Sequence, residues 1–77
     1  MFNSMTKEMR ERLSGRKIEN LYLIGVDGNA FALMATFRKH ATRDPNWKEE
    51  EILAVQDEAM SGDYEHLVST LIEYSEH

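Results

Sequence analysis

The chain has no cysteine among its 77 residues, which excludes a disulfide framework and any zinc–thiolate site. That absence points to a reducing compartment. There is a single proline, Pro45, and at 77 residues there is room for one domain with a small core. No apolar run approaches the roughly 20 residues that a bilayer crossing needs, and the segment after Met1 lacks the apolar stretch of a signal peptide. A soluble, cytoplasmic protein is the expectation. Neither phosphate-binding glycine pattern, GxxxxGK[ST] or GxGxxG, is present, nor is HExxH or an acidic calcium loop. His40, His66 and His77 are scattered, so neither a metal nor another cofactor is expected. A core of this size is near the lower end of what folds unaided, which makes support from a partner chain plausible.

One absence is regional. All nine Lys and Arg lie between Lys7 and Lys48, beside five acids; from Glu49 onward there are nine acids and no base. The chain is dipolar, able to offer a basic face to an anion and an acidic face elsewhere, or to dock head to tail on a copy of itself. The plainer reading is that the acids populate solvated helix faces. Arg10, Arg12, Arg16 and Lys17 form a basic cluster, but an overall pI near 5.1 argues against broad affinity for nucleic acid.

What is present reads as four helical patterns and one extended one. Residues 4–14 repeat Met5, Met9 and Leu13 at a four-residue spacing and stop at Gly15. This piece is a thin-striped arm within an N-terminal extension, residues 1–17, ahead of a domain at 18–77. Residues 20–26, NLYLIGV, have strand composition and end at Gly25 and Asp27-Gly28. Asp-Gly also signals a hairpin, which would make AFALMATF a second strand. Its Ala, Leu and Met content favours helix instead, with Ala30, Leu33, Met34, Phe37 and Ala41 on one stripe and Asn29 as N-cap. Pro45 breaks that helix. Asn46 with Glu49 reads as a capping box opening the next, whose stripe is Ile52, Val55 and Ala59 with Leu53 and Met60 beside them. A last helix, capped by Ser61 or Asp63, carries Tyr64, Leu67, Val68, Leu71 and Ile72, and forms an antiparallel helical hairpin with its predecessor.

The expected fold is therefore α+β and mostly helical: an arm helix, one short strand, then three helices. A lone strand cannot satisfy its own amides. The strand from Leu21 to Val26 would pair either with residues 1–6 or with its counterpart in a second copy, and the second option predicts a homo-oligomer.

Two clusters invite a functional reading. Asp27, the Gly28 backbone and Asn29 could surround an anion at a helix start, with Arg38 and Arg43, or Arg16 and Lys17 of a neighbour, balancing a phosphate. The alternative is a turn and a cap. Ser61, Asp63, Tyr64 and His66 place a hydroxyl, a carboxylate, a phenol and an imidazole close together at a second helix start whose N–H donors would join the same ligand site; an Asp63–His66 contact one turn apart suits a local cap better than a relay, so no catalytic residue is expected. Trp47 and Tyr22 are candidate protein-contact anchors; the alternative for Trp47 is a staple holding its loop on the core.

The segments GVDGNAFALM, KEEEI and EAMSGDYEHLVSTLIEY resemble a family of small proteins of tailed bacteriophages and prophages, over about residues 18–75. The specific parts are Asp27-Gly28-Asn29-Ala30-Phe31 and Ser61-Gly62-Asp63-Tyr64 with His66-Leu67. The resemblance implies an accessory role in the host cytoplasm, where such proteins often act by binding and blocking machinery, and it carries no established activity. The expectation is binding rather than turnover: sequestration of a small anionic, nucleotide-like ligand to counter host defence, or alternatively an inhibitor masking a host or phage protein through its acidic hairpin.

Overall fold

The computed structural model describes residues 5–76. Among these residues there are four helices: α1 (Lys7–Leu13), α2 (Ala30–Arg43), α3 (Glu49–Ala59) and α4 (Tyr64–Glu73). Each begins where a polar group can meet free amides of a first turn. Thr6 Oγ1 accepts from the Met9 amide at 3.1 Å, Asn29 Oδ1 from Phe31 at 2.8 Å and Asp63 Oδ1 from His66 at 2.9 Å. The α3 start departs from the expected capping box at Asn46. The Lys48 amide donates to Glu51 Oε1 at 2.8 Å, two positions later in register. The reason is tertiary: the Glu51 carboxylate also receives Arg16 at 3.1 Å and Arg12 at 3.4 Å, so the start of α3 sits where this buried acid has the most partners.

The expected strand is not there, and the fold is all-helical among the described residues rather than α+β. Residues 21–26 have strand composition, but Asn20 and Gly25 adopt left-handed backbone (φ 66° and 90°), and the Val26 amide closes a turn onto the Leu23 carbonyl at 3.1 Å. Gly25 can take this φ because it has no Cβ. The segment coils over the helices as a strap. Ile18 and Leu21 are completely buried, Leu23 and Val26 rest against the core, and Tyr22 and Ile24 face outward. Its beginning is tied to the end of α4 and the residues after it: Ile18 N–H donates to the Tyr74 carbonyl, Asn20 N–H to the Glu76 carboxylate, and the Leu21 carbonyl accepts from Glu76 N–H at 2.7 Å. Strand propensity reflects fit to a half-buried surface, and here the end of α4 supplies that surface. The argument for joining two copies through this segment thus loses its premise. The other expected pairing segment, residues 1–6, lies largely outside the described residues, as does His77.

The core forms where α2, α3 and α4 meet under the strap and α1. Phe37, Leu13, Ile52, Leu71 and Tyr74 are among its large, fully or almost fully buried members from the helices and their ends. From the N-terminal extension, Met5 and Leu13 are both buried in this core. The Trp47 and Tyr74 rings meet edge to face at 5.6 Å, Arg16 lies over the Trp47 ring at 4.8 Å, and Trp47 Nε1 donates to the Lys17 carbonyl. Trp47 is only 5% exposed, so it staples its loop to the core and offers no contact surface. Burial raises the Tyr74 pKa, with the Glu73 charge acting the same way. No helix among the described residues is long and apolar enough to cross a membrane.

Candidate functional site

The turn that ends the strap and the turn between α3 and α4 meet in space. Tyr64, the first residue of α4, donates its hydroxyl hydrogen to the Gly28 carbonyl, joining the two segments on which the sequence reading placed its candidate ligand site. Gly28 allows the approach: a Cβ there would stand 3.3 Å from the Tyr64 hydroxyl oxygen, tighter than most such contacts.

Around this junction the surface is concave and apolar. A groove of about 560 Å³ runs between α2 and the α3–α4 turn, walled by Phe31, Met34, Ala35, Met60, Tyr64 and Leu67. A second, of about 370 Å³, lies between the strap and α4, walled by Leu23, Ile24, Val26, Leu33, Val68 and Ile72, with Gly28 and Tyr64 at its edge. Tyr64 lines both. These walls hold side chains that a soluble surface usually hides: Phe31 is 86% exposed and Ile24 88%, with Met60, Tyr64 and Ile72 also well exposed. The stripe readings took Met34, Tyr64, Leu67, Val68 and Ile72, with Met60 beside them, as inward-facing, yet Met60, Tyr64 and Ile72 are exposed and join Phe31 and Ile24, which lie off the stripes, on this open face. Phe31 sits beside Ala30 but off the line through Leu33 and Phe37, and a bulky apolar residue in that position is the signal that could have marked it.

The charged groups at the rim are unevenly matched. Arg38, on the wall of the larger groove, is held by Glu49 at 3.4 Å and by Gln56 at 3.1 Å. Asp27, Asp63 and Glu65 are exposed beside the grooves, and none of them forms a salt bridge among the described residues. The rim is acidic in effect.

The expected anion site fares differently. Asp27 Oδ1 accepts from the Asn29 amide at 3.0 Å, while Asn29 and Asp63 cap the first turns of α2 and α4. These helix starts therefore spend donors on their own side chains, and two of the three side chains are carboxylates that repel an anion. Arg43 stands apart from Arg38, on a polar recess of about 170 Å³ with Glu19, Asn20, His40 and Asp44.

Ser61, His66 and Glu58 come together, but not as a catalytic relay. His66 Nε2 lies 2.8 Å from the Glu58 carbonyl oxygen and 3.0 Å from its carboxylate, with Ser61 Oγ at 3.4 Å. A relay needs the acid on one ring nitrogen and the nucleophile on the other. Here both converge on Nε2, whose two closer neighbours are acceptors, so this nitrogen donates and has no lone pair for a serine proton. Ser61 Oγ itself donates to the Glu58 carbonyl at 2.7 Å. The cluster ties the end of α3 to the start of α4. Among the described residues no group of three or more His, Asp or Glu is arranged to hold a metal ion. No family model matches the chain, and comparison with curated proteins and with solved structures likewise gives no match.

Proposed function

We propose that this protein is a binding module whose working surface is the pair of apolar grooves beside Tyr64, and that it takes an amphipathic segment of a partner protein with bulky apolar anchors and Lys or Arg flanks. The observation that carries this reading is the concentration of exposed Phe31, Ile24, Met60, Tyr64 and Ile72 on one concave face with an unpaired acidic rim. Apolar anchors entering grooves supply affinity, and complementary flanking charge supplies orientation and rate of encounter. In the phage-type setting that the sequence resemblance implies, occupying such a segment in the host cytoplasm would mask a host or phage protein. Sequestration of a nucleotide is the weaker reading, because Asn29 and Asp63 already cap the first turns of α2 and α4, and the carboxylates of Asp27, Asp63 and Glu65 lie close to those starts.

The test is titration of a labelled synthetic helix, with Phe and Leu four residues apart on a Lys-rich background, followed by fluorescence anisotropy. Saturable binding that weakens as salt is raised, and that Phe31→Asp reduces at least tenfold, is the expected result. A Phe31→Asp variant that binds like the parent sinks the proposal. So does a nucleotide that raises the Tm of the parent protein while the helix does not bind.

A further inference from the structure

Resting on that reading, we infer that Tyr64 is a specificity partition: it divides the face into two subsites that read two different apolar side chains of the partner, one turn apart. Tyr64 is common to both linings, and its hydroxyl is anchored on the Gly28 carbonyl across from α4. The ring is thus a strut spanning from α4 to the end of the strap, with a groove on each side.

The two sides differ in volume and in wall chemistry. The larger, about 560 Å³, is lined by unbranched Met34 and Met60 and by the small Ala30, Ala35 and Ala59. Thioethers on flexible stems adapt to a flat ring and make favourable sulfur–aromatic contacts, and alanines leave depth for it. This side takes an aromatic anchor. The smaller, about 370 Å³, is lined by Leu23, Ile24, Val26, Leu33, Val68 and Ile72. Branched walls with few rotamers hold their shape and suit a single branched aliphatic side chain. A single tyrosine separates the two, so the anchors that straddle it belong to neighbouring turns of a helix, at i and i+3 or i+4.

The separation is readable by a double-mutant cycle. Phe31→Asp and Ile24→Asp each alter one side at a residue that is almost fully exposed, so both variants keep the fold, checked by circular dichroism and thermal melting. The probes are the Phe/Leu helix and its two truncations, Phe→Ala and Leu→Ala. Phe31→Asp is expected to weaken the parent probe about tenfold or more and to have no further effect on the Phe→Ala probe, while Ile24→Asp pairs in the same way with the Leu→Ala probe. Tyr64→Ala is expected to erase the preference for the Phe-first or Leu-first order of anchors. Tyr64→Phe, which keeps the ring and loses only its anchor, is expected to reduce that preference without erasing it. If the probe binds but both protein variants couple equally to both truncations, or Tyr64→Ala leaves the order preference unchanged, the partition is wrong while the binding-module reading stands. If no probe binds the parent protein, both fall together.

Discussion

The two ends of this small molecule treat large apolar side chains in opposite ways. At one end Trp47, Tyr74, Ile18 and Leu21 are sealed between the strap, the α2–α3 turn and the end of α4, with Arg16 laid over the indole. At the other, Phe31, Ile24, Met60 and Tyr64 stand in solvent around two grooves. A 77-residue chain with a limited core has every energetic reason to bury an aromatic ring. Since it buries Trp47, Phe37 and Tyr74 completely or nearly so, exposure of Phe31 is a property of one face and not of a chain unable to fold its core. The sealed end maintains the fold, and the open end is left for another molecule.

Mutation can sharpen or break that division. The largest loss is expected from Trp47→Ala, which empties the sealed end and removes the seat of Arg16: about 3–5 kcal/mol by urea unfolding. A loss below about 1 kcal/mol would mean that the indole is not part of the core. Next comes Glu51→Gln. Burial pushes the Glu51 carboxyl upward, but the Lys48 amide and the Arg16 and Arg12 guanidiniums outweigh it and hold the pKa below the ordinary 4.5. A depressed folded-state pKa contributes stability that is present above the unfolded value and is lost as pH falls through the folded one. Thermal melts of the parent should therefore decline in that acid window. Glu51→Gln should be less stable near neutrality by about 1–3 kcal/mol and should decline less in acid. A variant with an unchanged acid limb would show that the ion pairs of α1 and its following turn contribute nothing there.

Smaller effects belong to the open end. Tyr64→Phe loses one partly exposed hydrogen bond, to Gly28, and should cost about 1 kcal/mol or less. Phe31→Asp should change stability by no more than about 0.5 kcal/mol while weakening binding of the amphipathic probe about tenfold or more, since Phe31 is exposed and an acid is favourable in the first turn of α2. A strongly destabilised Phe31→Asp variant would erase the contrast between the two ends.

The helices were legible because their signals are local. Asn29 caps α2 as expected, Asp63 rather than Ser61 caps α4, Gly15 follows the end of α1, and Leu33, Phe37, Ala41, Val55 and Leu71 are buried as their spacing requires, whereas Leu53, Met60, Tyr64 and Ile72, on or beside the same stripes, are exposed. The strand reading failed because apolar composition says that a segment will be covered without saying by what. Residues 21–26 rest on their own helices, and Gly25 turns the backbone out of any extended path. The Asn46 capping box failed because Glu51 is fixed by arginines far away in sequence. At the site, the expected ligand cluster splits, since Gly28 and Tyr64 come together while Arg43 lies on another recess; Trp47, expected as a candidate protein-contact anchor, is buried.

By itself, the amino-acid order determined that helices form near residues 7–13, 30–43, 49–59 and 64–73 and which central residues of each stripe turn inward, because caps and 3.6-residue periodicity act within one or two turns. Only the tertiary structure decided that the aliphatic run becomes a strap, that Tyr64 reaches Gly28, and that Phe31 remains uncovered. Those outcomes depend on which surfaces face each other across dozens of residues, and no local propensity records them.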